Sequence, residues 1–229
     1  KLVQSWETPV KHFYVRSHAP VPKVDVNSFR ITVEGMVQRK LSLSIAEITD
    51  RFPATEITST MTCAGNRRSE HSRVKKVGGG QWAAGAIGNA RWGGVRLADV
   101  LQLAGLKEGA KHVWFESIDQ VKKDDRTFPF GASIPVKKSL EKTRFGNGTL
   151  LATTMNGRPL PPDHGYPIRT VVPGYVGARS VKWLGRIVVS DRPSPNHYVA
   201  NAYKLVSNGD QDEWATAQPI YKFPINSAI

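Results

Sequence analysis

In TMTCAGNRRSE (Thr60–Glu70) a thiol, Cys63, is followed by two small residues and then by Asn66, Arg67 and Arg68. Cationic neighbours lower a thiol's pKa and favour the thiolate, the form that binds a metal or acts as a nucleophile. Cys63 is the one cysteine in the chain, which excludes an intrachain disulfide and a zinc site built from several thiolates. A lone cysteine is otherwise a small buried hydrophobe. Two chemical readings stand. A nucleophilic cysteine needs a partnering histidine, and His71 is near in sequence only. A single soft thiolate also suits a metal carried by an organic cofactor, where the protein supplies one ligand.

Outward from this loop the chain reads as short strands with few helices, punctuated by 20 glycines and 15 prolines. Phe29–Val37 alternates like a half-buried strand, and Leu41–Ile48 starts the same way before turning helical. Val95–Leu106 holds the clearest helix, with Leu97, Val100, Leu101 and Ala104 on one face and Gly105 placed to end it. Lys111–Ile118 and Val181–Ser190 read as buried strands, and Trp92, Trp114 and Trp183 as core packing. The expected class is a mixed, β-rich α+β domain. Gly78–Gly85 is glycine-rich but lacks the spacing of a nucleotide loop.

At 229 residues the chain can bury a sizeable core, and no apolar run approaches the roughly 18 residues of a membrane span. The first residues, KLVQSWETPVKHF, carry no secretory signal pattern, so the compartment is not readable there. Net charge is +13, but the cations are spread along the chain without an arginine-rich arm or finger. That argues against nucleic acid and leaves a solvated basic surface or attraction of a small anion.

TMTCAGNRRSE resembles the cysteine loop of the sulfite oxidase family, and further similar segments follow in family order. They include HFYVRSHAPVP (His12–Pro22), AIGNARWGGVRLADVL (Ala86–Leu101), FESID (Phe115–Asp119) and FGASIP (Phe130–Pro135). MNGRPLPPDHGYPIR (Met155–Arg169), VVPGYVGARSVKWLGRI (Val171–Ile187) and AYK (Ala202–Lys204) complete the series. The resemblance implies a molybdenum–molybdopterin (Moco) domain with Cys63 as the thiolate on the metal. It implies Arg16, Arg68 and Tyr203 around the substrate anion. His164, Arg169, Ser180 and Lys182 would hold the pterin and its phosphate, with Asp119, Tyr14 and His18 assisting. The chemistry agrees, because arginine offers a permanent planar fork of donors and tyrosine a hydroxyl for the same oxygens. Each also has a plainer reading: Arg16 a surface residue, Arg68 a partner of Glu70, His164 a satisfied loop histidine, Arg169 and Lys182 solvated strand-end charges, Tyr203 core packing.

The implied reaction is oxygen-atom transfer to sulfite, with electrons passing to a separate acceptor such as a cytochrome or dioxygen. The +13 charge disfavours a basic cytochrome c. GARSVKWLGR (Gly177–Arg186) resembles the sulfite oxidase version of its segment, whereas nitrate reductases tend to read GGRMVKWL; a nitrate reductase domain is the alternative. A cofactor-free basic binding domain is the alternative of another class. FPINSAI (Phe223–Ile229) resembles the passage into an immunoglobulin-like dimerisation domain, so a single Moco domain cut from a longer, homodimeric parent is expected. The resemblance is compatible with a bacterial periplasm or an organelle.

Overall fold

The computed structural model describes residues 5–141, 148–206 and 211–222. Its strands are β1 (Arg30–Gly35), β2 (Leu41–Ser44), β3 (Ala54–Thr62), β4 (Ile87–Arg96), β5 (His112–Ser117) and β6 (Val121–Lys123). They continue with β7 (Arg126–Phe128), β8 (Gly131–Pro135), β9 (Leu150–Met155), β10 (Arg158–Pro159), β11 (Arg169–Val171) and β12 (Leu184–Ser190). One sheet runs β2-β1-β12-β5-β8, the other β10-β9-β4-β3 with β11 also on β9, and β6 and β7 form a hairpin. Only the β1–β12 pair of the first sheet is parallel. One mixed and one antiparallel sheet with short intervening helices make the α+β class expected from the sequence.

Local chemistry sets these elements. In β1 the alternation buries Ile31 and Val33. Ser44 ends β2 and caps the helix Ile45–Arg51, accepting from the Glu47 amide while the Glu47 carboxylate accepts from the Ser44 amide. The helix Leu97–Ala104 buries Leu97, Val100, Leu101 and Ala104, and Gly105 at φ +70° closes it. Val95 and Arg96, which the sequence pattern joins to that helix, finish β4 instead.

Two apolar cores result. One lies against the first sheet around Val33, Leu97, Phe115, Ile134 and Ile187, and the other against the second around Trp92, Leu150 and Met155. Gly35 marks a tight approach between the end of β1 and β12. It sits at φ +88°, and a Cβ there would lie 2.2 Å from the Val189 carbonyl oxygen. Gly35→Ala should therefore cost roughly 1–3 kcal/mol, read as a lowered midpoint in urea with an unchanged m value.

Three local expectations are revised. The last strand begins at Leu184, not Val181, because Trp183 adopts φ +50° and interrupts extended backbone. Trp114 is half-buried, its indole donating to the Arg192 carbonyl at 2.7 Å. Trp183 is fully buried but also borders the cleft described below. Among the described residues no helix is long and apolar enough to cross a membrane. Phe223–Ile229 lies outside the described residues.

Candidate active site

Loops from both sheets converge on one cleft. Its empty space, open mouth included, is about 680 Å³. Cys63 enters directly after β3, Asp119 after β5, and Arg169 as the first residue of β11. Ser180 and Lys182 stand in the irregular link before β12. The N-terminal segment contributes Tyr14, Arg16 and His18, and Tyr203 follows the short helix His197–Ala200. The cleft thus gathers every residue singled out from the sequence except Arg68.

Arg68 sits beside the cleft rather than on its wall. Its guanidinium packs where a Gly65 Cβ would be, 2.8 Å away, and donates to the Gly80 carbonyl at 2.9 Å. It remains near enough to favour ionisation of Tyr203. Glu70 is bound instead by Arg67, at 2.7 Å from its Nε. Arg67 occupies the left-handed region at φ +61°, which turns the chain sharply after the cysteine loop.

The Cys63 loop is held by backbone. The Cys63 amide donates to the Ala86 carbonyl at 2.8 Å, and its carbonyl accepts from Asn66 at 2.9 Å. The Asn66 side-chain oxygen accepts from the Gly85 and Ala86 amides. These bonds fix the position of Sγ, which accepts one weak contact from the Gly65 amide at 3.4 Å. Close packing limits the space at Gly177. A Cβ at Gly177 would meet the Tyr14 hydroxyl at 2.6 Å.

Arg169 is buried, and among the described residues its donors reach neutral acceptors: the carbonyls of His164, Thr170 and Ser180, and the Met61 sulfur. Burial lowers it to about 10. Lys182 donates to Ser17 Oγ at 2.6 Å and the Asp163 carbonyl at 2.8 Å. Burial first, then the Arg169 charge, pushes it down to about 7. Among the described residues neither these two nor Arg16 has a carboxylate within ion-pair distance. Asp119 instead accepts from the Phe130 amide at 2.7 Å, and its burial raises its pKa. Cations desolvated without counter-charges are costly unless an anion completes the site.

Arg16, His18 and Tyr203 form a directional chain of hydrogen bonds. Arg16 can only donate, so its 3.3 Å contact makes His18 Nδ1 an acceptor. His18 Nε2 then carries the proton and donates to the Tyr203 hydroxyl at 2.8 Å. That leaves the Tyr203 O–H proton free to donate elsewhere. Burial, then Arg16, His197 and Lys182, lower His18 to about 4, so it stays neutral at ordinary pH. The ring is packed against Phe130 and Tyr198.

Sequence reasoning missed Arg179. It is fully buried and donates to the carbonyls of Ile220, Tyr198 and Tyr203. It clamps the C-terminal segment to the domain and holds Tyr203, which is itself at φ +53°. The only signal was its place within GARSVKW, where it looks like any other arginine.

One sulfur donor beside cations that have no carboxylate in ion-pair contact among the described residues fits a metal held by an anionic organic group. Comparison with known proteins agrees. Residues 18–198 match the family described as oxidoreductase molybdopterin binding domain. Over its whole length the chain is 47% identical to the sulfite oxidase of Gallus gallus, half of which it spans. It is 39% identical, over 83% of its length, to an NADH nitrate reductase of Oryza sativa subsp. japonica, covering 21% of that protein. The crystal structure of the sulfane dehydrogenase SoxCD from Paracoccus pantotrophus superposes with a TM-score of 0.75 at 26% identity, over 94% of this chain and 50% of that one. The cleft and the match over most of the described domain lead to one assignment: this chain belongs to the oxidoreductase molybdopterin-binding domain family.

Proposed function

We propose that the cleft holds a molybdenum–molybdopterin cofactor through Cys63 and that the enzyme oxidises sulfite to sulfate. The observation that carries this reading is the gathering of Arg16, Arg169 and Lys182, none in ion-pair contact with a carboxylate among the described residues, around Cys63 and Tyr203. Bound there, the cofactor supplies a two-electron metal centre for oxygen-atom transfer. Sulfite and water become sulfate, two protons and two electrons, and the electrons leave singly to a separate acceptor.

The chain's own residues bind and orient. His164, Arg169 and Ser180 are buried in the lining beside Lys182, where a phosphate would balance the cationic charge. His164 is lowered to about 4, chiefly by burial, and so acts as a neutral donor or acceptor. Exposed Arg16 and the Tyr203 hydroxyl, both on the cleft lining, would hold the substrate oxyanion, with Arg68 contributing charge from beside the cleft. Because the chain spans half of the sulfite oxidase it matches, a longer parent that pairs through a further domain is part of this proposal.

The test is composition and kinetics of the full-length protein. About one molybdenum and one pterin per chain are expected, with sulfite-dependent reduction of a small acceptor; a protein purified from molybdenum-replete cells without either component contradicts the reading. Arg16→Gln should chiefly raise KM for sulfite. A desolvated charge-assisted contact is worth on the order of 1.5–3 kcal/mol, and Arg16 is exposed, so roughly tenfold is expected. Unchanged sulfite kinetics in that variant would return Arg16 to the surface.

A further inference from the structure

Between the cysteine loop and β4 the chain makes a cationic excursion that the proposed chemistry does not use. His71 and residues 73–81 are exposed, and Val74 is 93% exposed, the most open large apolar side chain described. Arg73, Lys75 and Lys76 flank it. From Arg67 to Trp82 the only acid is Glu70, already bound by Arg67.

This excursion is tied down. Ser69 donates to the Trp82 carbonyl at 3.0 Å and Arg67 to the Ala83 carbonyl at 3.2 Å. Gln81 closes the loop, donating to the carbonyls of Val77 and Gly79 and accepting from the Ser72 hydroxyl. Asn66 bonds the Gly85 and Ala86 amides, and Ala86 accepts from the Cys63 amide. An apolar residue on a surface ordered this way, ringed by one sign of charge, has the form of an interface centre with a cationic rim.

We infer that the Arg73–Val77 loop is the docking surface for an acidic protein that accepts single electrons. The inference rests on the sulfite-oxidation reading, which releases two electrons per turnover and therefore requires two successive one-electron encounters. Each encounter reduces one acceptor molecule by one electron; the two protons go to solvent. Charge complementarity selects the partner: a carboxylate-rich face meets Arg73, Lys75 and Lys76, and a small apolar patch covers Val74. The base of the loop, through the Arg67–Ala83 and Ser69–Trp82 bonds, continues into the Cys63–Ala86 bond, so the partner docks on the same excursion that begins at the proposed metal ligand.

The experiment uses the full-length protein with three acceptors: a small neutral quinone, native basic cytochrome c, and the same cytochrome with its lysines succinylated. Sulfite-dependent reduction of the succinylated cytochrome should exceed that of the native one and fall steeply with ionic strength. Reversing Arg73, Lys75 and Lys76 together to Glu should lower it about tenfold or more while leaving quinone turnover unchanged. Val74→Ser should lower it severalfold with the salt dependence intact, which separates apolar contact from charge. Equal cytochrome reduction by the charge-reversed and unaltered proteins overturns the docking site, as does an equal loss with quinone and cytochrome. Absence of sulfite turnover with quinone in the unaltered, molybdenum-loaded protein overturns the underlying reading instead.

Discussion

Cys63→Ser should leave a folded protein that has lost the proposed oxidation of sulfite. The substitution changes volume little, and Cys63 is only partly buried, so the backbone bonds to Ala86 and Asn66 persist. What changes is the donor. A hard hydroxyl replaces a soft thiolate, altering the electronics of a bound metal and weakening its attachment. Turnover should fall roughly a hundredfold or more. The check pairs far-UV circular dichroism and thermal midpoint, expected unchanged, with sulfite-dependent quinone reduction. X-ray absorption at the molybdenum edge should lose one sulfur neighbour. A Cys63→Ser enzyme with full turnover would remove Cys63 from the metal's coordination shell.

Lys182→Met should act in opposite directions on the cofactor-free and cofactor-loaded proteins. Burial and Arg169 lower Lys182 from 10.5 to about 7. Between those values the unfolded chain holds the proton and the folded one has released it, so cofactor-free stability rises as pH increases from about 7 toward 10. Below about 7 the folded protein carries the full cost of a buried ammonium, on the order of 3–5 kcal/mol. Methionine has no charge to desolvate. The cofactor-free variant should be more stable at pH 6 and its stability should no longer climb between pH 7 and 10. The loaded variant should release its pterin more readily, because a phosphate partner has been lost. Urea midpoints of both forms across that pH range provide the measurement. A climb that persists in Lys182→Met would assign the titration to another group.

Local patterns carried much of the fold. The spacing of Leu97, Val100, Leu101 and Ala104 marks a helix because those positions share one face, and Gly105 ends it because only glycine enters φ +70° without strain. The β1 alternation was equally legible. Trp183 was not: nothing in VKWLGR announces a bulky residue in the left-handed region, and that conformation depends on partners distant in sequence. The parallel β1–β12 pairing joins residues some 150 apart and leaves no local trace.

The site divides in the same way. Cys63, His164 and Arg169 stand out through the motifs around them, and the cleft brings them together. The His18–Tyr203 bond spans 185 residues and required the fold. Arg68, conspicuous beside Cys63, turns toward Gly65 and Gly80 because the left-handed Arg67 redirects the chain. Arg179 stayed hidden because its role is to bind main-chain carbonyls, which are present on every residue and signal nothing in a sequence.

The most direct test of the proposed activity compares two rates on one preparation of molybdenum-loaded, full-length protein: sulfite oxidation with a neutral quinone and nitrate reduction with a reduced viologen dye. Largely dianionic sulfite should gain more from Arg16, Arg68 and the Tyr203 hydroxyl than monovalent nitrate does. Sulfite turnover should exceed nitrate turnover, and Arg16→Gln should narrow the gap. Nitrate turnover above sulfite turnover under matched conditions would contradict the account and assign the cleft to nitrate reduction.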